Sequence, residues 1–202
     1  IREGGDKPAF LGYQPVGARR PFPAALCLSI NDEIVHGIPN EKERILKEGD
    51  IVSIDLGLIH KGLITDSAIT VPCGAVDDEA RTLIDITRLS LEKGLEAAQP
   101  GNTIGDIGAA ISEVVKPTGF SLVTELAGHG VGHKVHEDPY VPNVGKAGKG
   151  EKLVPGMVLA IEPMVNVGGP DIKLLPDGYT FVTKDGSRSA HFEHTVAITE
   201  KG

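Results

Sequence analysis

The stretch Leu46–Asp55, with the sequence LKEGDIVSID, leads through a glycine into an apolar strand that ends on a carboxylate. The stretch Leu153–Glu162, LVPGMVLAIE, repeats this arrangement, because in both copies a glycine follows the leucine by three positions and precedes the acid by six. Each copy is followed along the chain by another acid that opens an apolar strand, Asp66 before SAIT and Glu193 before HTVAIT. The sequence therefore places four acids beside apolar strands, in two similar pairs.

This internal similarity has two explanations. Two amphipathic strands can resemble each other by chance. Alternatively, the chain consists of two related halves, about residues 1–100 and 101–202, which each bring one pair of acids to a shared centre. With 202 residues, 40% of them hydrophobic, the chain is long enough for one large domain with a substantial core.

The acids indicate a metal site. A bare carboxylate in a buried strand costs several kcal/mol unless a positive group compensates it, and neither apolar strand of the repeat contains Lys or Arg. A histidine in the segment GHGVG offers a nitrogen ligand, and its flanking glycines let another group approach closely. An incidental histidine in a glycine-rich turn is the alternative interpretation of that segment. The predicted ligands are Asp55, Asp66, His129, Glu162 and Glu193.

Four carboxylates and one neutral imidazole carry a charge of −4, which two divalent cations balance. Oxygen-rich ligand sets favour Mn, Fe or Co, with Zn as an alternative. Two such ions roughly 3.5–4 Å apart can activate a shared water near neutral pH. The reaction class is then metal-assisted hydrolysis. The sequence contains neither a Gly-Lys-Ser/Thr phosphate loop nor a Gly-x-Ser-x-Gly nucleophile turn.

Two further histidines follow His129. His136 lies seven residues later, and we interpret it as a proton donor that faces the substrate. His133 lies between them, but we do not expect it to be a ligand because the acids already fill the site.

Composition excludes several classes of protein. A net charge of −8 and a pI near 5.3 argue against a nucleic-acid binder, which is usually basic. Cys27 and Cys73 cannot form the disulfide framework of a secreted protein, which favours a reducing compartment. No segment approaches the roughly 20 apolar residues of a membrane span, and no signal peptide is visible. We therefore expect a cytoplasmic protein, monomeric by default, without membrane or nucleic-acid partners.

Periodicity and capping signals predict a mixture of strands and helices. The Gly/Pro/Arg-rich residues 1–24 predict a loop. A first helix is expected to begin after Asp77 or Asp78 and to run to about Ala98, and a second to begin after Asn102 or Thr103 and to run through Val115. The predicted strands are Ala25–Ile30, a hairpin of Ile51–Leu58 with Gly62–Val71, Ser121–Glu125, Val158–Val165 and His191–Thr199.

Together, several segments resemble the type I methionine aminopeptidases of the pita-bread metallopeptidase superfamily. They occur in the family's order and cover nearly the whole chain: Asn31–Pro39, Asp55 with Asp66 eleven residues later, Gly128–Pro139, Ile161–Asn166 and Glu193–Thr195. The resemblance implies an α+β pita-bread fold, with two pseudo-twofold related halves and a curved, mostly antiparallel sheet covered by helices on one side. It also implies one catalytic domain over residues 1–202 and a leading helical segment of the family that this sequence lacks.

The resemblance further implies removal of the N-terminal methionine from peptides and nascent proteins, with small second residues preferred. Its partner would be a peptide or nascent-chain N-terminus, with the ribosome as a further candidate. Asp55 and Asp66 would bind one metal, His129 and Glu162 the other, and Asp66 and Glu193 would bridge the pair. The implied catalytic residues are His36 at the scissile amide or the new amine, His136 at the carbonyl oxygen and Glu162 for the proton of the attacking water. His36 and His136 would also bind substrate, and the implied methionine pocket consists of Phe10, Tyr13, Phe22, Cys27, Val135 and Tyr179.

The sequence departs from the family at several places. Val135 replaces a usual Phe and Tyr179 a common Trp, which predicts a roomier or differently shaped pocket. His191 replaces a common Gln two residues before Glu193, which predicts altered surroundings of that ligand. The stretch Gln14–Pro23 is longer than the family's usual loop. Two alternatives stay open: an X-Pro-directed relative that shares the five ligands, and an inactive binding homologue.

Overall fold

The computed structural model describes all 202 residues except the side chain of Arg2. Across these residues it contains two α-helices, α1 (Asp78–Ala97) and α2 (Ile104–Val115), and two 3-10 helices, Arg2–Gly4 and Lys116–Thr118. Sixteen short strands complete the described secondary structure: β1 (Lys7–Pro8), β2 (Cys27–Ile30), β3 (Glu33–Val35), β4 (Ile51–Asp55), β5 (Leu58–His60), β6 (Leu63–Thr65), β7 (Ser67–Pro72), β8 (Ser121–Leu122), β9 (Ala127–Gly130), β10 (Glu137–Pro142), β11 (Val158–Ile161), β12 (Met164–Asn166), β13 (Ile172–Leu174), β14 (Phe181–Thr183), β15 (Ser189–His191) and β16 (Glu193–Ala197).

The main sheet is antiparallel and curved, with seven strands in the order β10-β9-β11-β16-β7-β4-β2. The two halves of the chain meet between β7 and β16, where Glu193 is opposite Ala68 and His194 is opposite Ser67. The repeated strands β4 and β11 lie at matching distances on either side of that junction. This strand order is the one expected for two halves that are related by a pseudo-twofold axis.

The helices cover one face of the main sheet. In β11, Leu159 and Ile161 point to this face and contact the apolar side of α1 and α2, while Ala160 points to the opposite face, where the predicted pocket residues lie. Side chains of a strand alternate between the two faces of a sheet, so β11 separates two apolar clusters.

The helix ends follow their capping signals. The Asp77 side chain accepts a hydrogen bond of 2.8 Å from the Ala80 amide at the start of α1. The side chain of Asp106 accepts one of 2.7 Å from the amide of Thr103 at the start of α2. Both helices therefore begin where the sequence predicts. No helix among the described residues is both long enough and apolar enough to cross a membrane.

Four predicted strands are wrong in extent, because each is divided in two. Ile51–Leu58 forms β4 and β5, Gly62–Val71 forms β6 and β7, Val158–Val165 forms β11 and β12, and His191–Thr199 falls on β15 and β16. Each break lies on or beside a predicted ligand, where the chain leaves the main sheet for one of the three-stranded sheets β1-β5-β6 and β15-β12-β8. At Asp66, for example, the amide donates to the Thr195 hydroxyl at 2.8 Å. Apolar alternation continues across such a break, so periodicity does not reveal it.

Other differences are smaller. The strand predicted for Ser121–Glu125 is limited to β8, and the predicted loop 1–24 contains the short strand β1. The strands β3, β9, β10, β13 and β14 were not predicted. β3, β13 and β14 have only three residues each, and β9 and β10 contain glycine, proline or charged residues. The turn between β5 and β6 lies at Lys61-Gly62.

Candidate metal centre and substrate cavity

The structure brings every predicted site residue to one cavity of about 70 Å³. Pro15 also lines it, a residue that the sequence analysis did not single out, although it belongs to the long stretch Gln14–Pro23. The remaining lining residues are Phe10, Tyr13, Phe22, Cys27, His36, Asp55, Asp66, His129, Val135, His136, Glu162, Tyr179 and Glu193. His133 is exposed and does not line this cavity.

The acids enter the cavity from both halves of the main sheet. Ala68 of β7 is opposite Asp55 of β4 on one side and opposite Glu193 of β16 on the other. Their Cα atoms are therefore two strand spacings apart, roughly 10 Å, with Asp66 entering at the nearby break. Asp66, His129 and Glu193 each place one ligand atom within 4.8 Å of the others.

Glycines allow His129 to reach this centre. The strand β9 lies between β10 and β11, and a Cβ atom at Gly128 would meet the carbonyl oxygen of Ala160 at 2.3 Å. At Gly130 it would meet the carbonyl oxygen of Asp138 at 2.1 Å. Any side chain at these two positions would push the neighbouring strands away, so the glycines are required for close approach.

The electrostatics of the cavity favour a bound cation. Burial, and then the charge of Glu162, raises the pKa of Asp66 from 3.8 to about 7. Burial raises the pKa of Glu162 from 4.5 to about 7, and it raises the pKa values of Asp55 and Glu193 well above their ordinary range. Oδ1 of Asp55 is buried without a hydrogen-bond partner among the described residues. No Lys or Arg is among the described lining residues, so the donor set fits divalent metal ions.

The ring of His129 is oriented by its own backbone. Its Nδ1 lies 2.9 Å from the carbonyl oxygen of Gly130, and its Nε2 lies 3.4 Å from Oε1 of Glu162. Because a carbonyl oxygen only accepts, the proton of the neutral ring is on Nδ1, and the lone pair of Nε2 points into the site. This is the form of histidine that binds metals.

His36 and His136 line the same cavity as the cluster of acids. His36 follows β3 with a φ of 61°, in the left-handed region, and a Cβ atom at the next residue, Gly37, would meet the carbonyl oxygen of Leu28 at 2.2 Å. Burial, followed by the positive charges of nearby histidines, lowers the pKa of His36 to about 4, so its ring is neutral at pH 7. His136 is solvent-exposed, and its ring centroid lies 4.4 Å from that of His129.

His191 is a fully buried histidine beside the same acids. Its Nε2 lies 3.5 Å from Oε2 of Glu162, a contact that its sequence position beside Glu193 did not indicate. The break at Phe192 separates the two residues onto different strands, β15 and β16, and the ring of His191 lies beside Glu162, in the break between β11 and β12.

Aromatic and aliphatic residues form the opposite wall of the cavity. The rings of Phe22 and Tyr179 meet edge to face, with centroids 5.1 Å apart, and the hydroxyl of Tyr179 donates to the carbonyl oxygen of Arg20. The Arg20 side chain is itself paired with Glu41. The stretch Gln14–Pro23 is therefore held against this wall. Val135 is buried within the same cluster.

Comparisons with known proteins agree with this geometry. A model of metallopeptidase family M24 matches residues 3–200. A methionine aminopeptidase of Aquifex aeolicus is 52% identical over an alignment of 202 positions, which covers 98% of this chain and 77% of that protein. The crystal structure of a methionine aminopeptidase from Thermotoga maritima is similar to this chain with a TM-score of 0.94 at 46% identity. The aligned region includes all of this chain and 78% of the T. maritima chain. The crystal structure of a prolidase from Pyrococcus horikoshii has a TM-score of 0.68 at 25% identity. The aligned region includes 92% of this chain and 48% of the prolidase chain.

These similarities confirm the predicted pita-bread α+β fold. They also confirm the resemblance to type I methionine aminopeptidases, from which that fold was predicted. The chain is similar to the methionine aminopeptidases over nearly its full length, and the prolidase shares the fold at lower similarity. The match of a family model to almost every residue, together with 52% identity to a member, establishes the family. The chain belongs to metallopeptidase family M24.

Proposed function

We propose that this protein hydrolyses the N-terminal methionine from peptides and nascent proteins. The observation that carries the proposal is the composition of one cavity, in which an acid-rich metal centre is adjacent to an apolar wall. An exopeptidase for methionine requires both, because the centre must act on the first peptide bond while the wall holds an unbranched apolar side chain. The 52% identity to a methionine aminopeptidase supports the same reaction.

The five predicted ligands, Asp55, Asp66, His129, Glu162 and Glu193, would hold two divalent ions, for which Mn, Fe or Co are our first candidates and Zn the alternative. When bound, such ions supply Lewis acidity, which activates water and polarises the scissile carbonyl group. Asp66, His129 and Glu193, whose ligand atoms lie within 4.8 Å of one another, would be at the centre of this ligand set.

Three residues would handle protons and the reacting amide. Glu162 lies against His129 and His191 and would take a proton from the attacking water. The neutral ring of His36 would contact the scissile nitrogen. His136 would donate a hydrogen bond to the carbonyl oxygen as negative charge develops there.

The apolar wall would bind the methionine side chain. Phe10, Phe22, Cys27 and Val135 are buried in one cluster, and transfer of such a side chain from water to this surface is worth roughly 1.5–3 kcal/mol. A small second residue is expected in the substrate because the following side chain must pass the crowded acids.

Cleavage of two peptides tests the proposed reaction against its closest alternative. We expect the metal-loaded protein to release methionine from Met-Ala-Ser and to leave Ala-Pro-Ser intact, with free amino acids measured by chromatography. The higher similarity to the aminopeptidase of T. maritima than to the prolidase favours this result. Preferred cleavage of the X-Pro peptide would support the prolidase-like alternative. Cleavage of neither, with no metal retained, would support an inactive binding homologue.

The same peptide assay identifies the metal. Single additions of Mn²⁺, Fe²⁺, Co²⁺ or Zn²⁺ to the metal-free protein rank the ions by restored turnover.

We propose that the protein acts as a monomer in the cytoplasm on nascent chains, with the ribosome as a candidate partner. Light scattering measures the oligomeric state, and co-sedimentation with ribosomes measures binding to the ribosome.

Val135→Phe is expected to change substrate preference more than stability. The family's usual Phe would narrow the roomier pocket, so we expect kcat/KM for first residues bulkier than methionine to fall about 10-fold, with methionine less affected. Kinetics with Phe-Ala-Ser and Met-Ala-Ser measure this change. Val131→Phe is the matched control, because Val131 belongs to the same buried cluster but does not line the cavity, so that overpacking there lowers stability instead. A collapse of stability in Val135→Phe would place residue 135 in the core.

A further inference from the structure

The two histidines that meet in the site have different partners. The rings of His129 and His136 are inclined by 68° with centroids 4.4 Å apart. Nδ1 of His129 lies 2.9 Å from the carbonyl oxygen of Gly130, whereas Nδ1 of His136 lies 2.7 Å from the hydroxyl of Tyr13. A neutral imidazole carries one proton, so the partner at Nδ1 decides whether Nε2 donates or accepts.

The chemistry of the Tyr13 hydroxyl decides the direction of its hydrogen bond. A phenol is a stronger donor than a neutral imidazole N–H, and an imidazole nitrogen is a better acceptor than a phenol oxygen, so the O–H···N arrangement is the more favourable one. Burial raises the pKa of Tyr13 above its ordinary value of 10, and the phenol therefore keeps its proton at pH 7. Among the described side chains, His136 is its one hydrogen-bond partner.

We propose that Tyr13 is a positioning residue, whose hydroxyl donates to Nδ1 of His136 and thereby fixes the proton of that ring on Nε2. The inference rests on the proposed function, in which Nε2 of His136 donates to the carbonyl oxygen of the substrate. Two adjacent imidazoles thus have opposite tautomers. His129 presents a lone pair to the metal centre because its partner can only accept, and His136 presents an N–H to the substrate because its partner donates.

The tautomers are read directly by nitrogen NMR of the full chain. Uniformly ¹⁵N-labelled protein is loaded with Zn²⁺, which is diamagnetic, and long-range ¹H–¹⁵N correlation spectra distinguish a protonated Nδ1 from a protonated Nε2. A His136→Gln variant assigns the resonances of His136. We expect the proton on Nε2 of His136 and on Nδ1 of His129. A proton on Nδ1 of His136 in the unmodified protein would overturn the proposal, whatever the variants do.

Tyr13→Phe tests the cause of the tautomer. It keeps the ring and removes the hydroxyl, so we expect both tautomers of His136 in the spectrum and a fall in kcat of about 10-fold or more, with KM changed less than about two-fold. Tyr179→Phe removes the other tyrosine hydroxyl of the cavity, which bonds to a carbonyl oxygen of Arg20, and should leave the His136 tautomer unchanged. Tyr140→Phe, at an exposed site outside the cavity, should leave kcat unchanged.

The outcomes separate this inference from the function beneath it. An unchanged His136 spectrum or an unchanged kcat in Tyr13→Phe would overturn the role of Tyr13, even if the protein cleaves methionine peptides. If the unmodified protein cleaves no methionine peptide, the proposed function fails, and with it the assignment of His136 as a donor to substrate. The spectra would still report the tautomer, because they do not depend on turnover.

Discussion

His129→Ala is expected to reduce turnover of methionine peptides by roughly three orders of magnitude or more, because the centre loses its nitrogen ligand and, with it, one activating ion. The fold should persist, since the ladder of β9 with β10 and β11 is made by backbone groups. Metal content by elemental analysis, kcat/KM and far-ultraviolet circular dichroism measure the three effects.

His133→Ala is the matched control for this change. His133 lies four residues away in the same segment, but its side chain is exposed and does not line the cavity. We expect it to retain both metal and turnover. Unaltered metal content and activity in His129→Ala would refute the assignment of this histidine as a ligand.

Asp66→Asn is expected to make the metal-free protein more stable at pH 8 while turnover is lost. In the unfolded chain an aspartate titrates near 3.8, whereas burial and the charge of Glu162 raise the folded pKa of Asp66 to about 7. Between these values the folded state binds more protons than the unfolded state, so the free energy of unfolding falls as pH rises from about 4 to about 7. Glu162, with a folded pKa of about 7, acts in the same direction. The combined loss is on the order of several kcal/mol.

Thermal unfolding of metal-free protein between pH 4 and pH 8 measures this effect. We expect Asp66→Asn to flatten the pH dependence and to raise the midpoint at pH 8, by about 2–4 °C per kcal/mol for a chain of this size. Bound divalent metal should remove the decline in the unmodified protein. Asp85→Asn, at an exposed position on α1, is the control and should change the midpoint little. A lower midpoint for metal-free Asp66→Asn at pH 8 would show that Asp66 does not belong to a cluster of repelling charges.

Local signals in the sequence were sufficient for the helices. Asp77 and Thr103 are caps that act within one turn of the chain, and Pro117 limits α2 from a neighbouring position, so both helix starts could be predicted to within a residue. The strands were predicted less well. Their alternation is set by burial on one face, and it continues through the points near Asp55, Asp66, Glu162 and Glu193 where the chain passes from one sheet to another.

The site residues likewise divide into those that local signals indicated and those that depend on the tertiary structure. Asp55 and Glu162 were recognised from a local contradiction, a carboxylate at the end of an apolar strand without a basic neighbour, and Asp66 and Glu193 from their place in the repeat. The glycines beside His129 indicated close approach, and the structure shows which carbonyl oxygens require it. The contact of His191 with Glu162 and the lining position of Pro15 could not be predicted, because each depends on how segments far apart in the sequence come together.

The sequence by itself determined which residues can bind metal, where the helices begin and which strands are apolar, since these follow from side-chain chemistry and from neighbours within a few positions. Only the tertiary structure decided that the two acid pairs meet, through the pairing of β7 with β16, and that Tyr13 reaches His136 from 123 residues away. The physical reason is that burial, desolvation and hydrogen-bond direction depend on surroundings that distant parts of the chain supply. A carboxylate or an imidazole acquires its pKa and its tautomer only when those parts are in place.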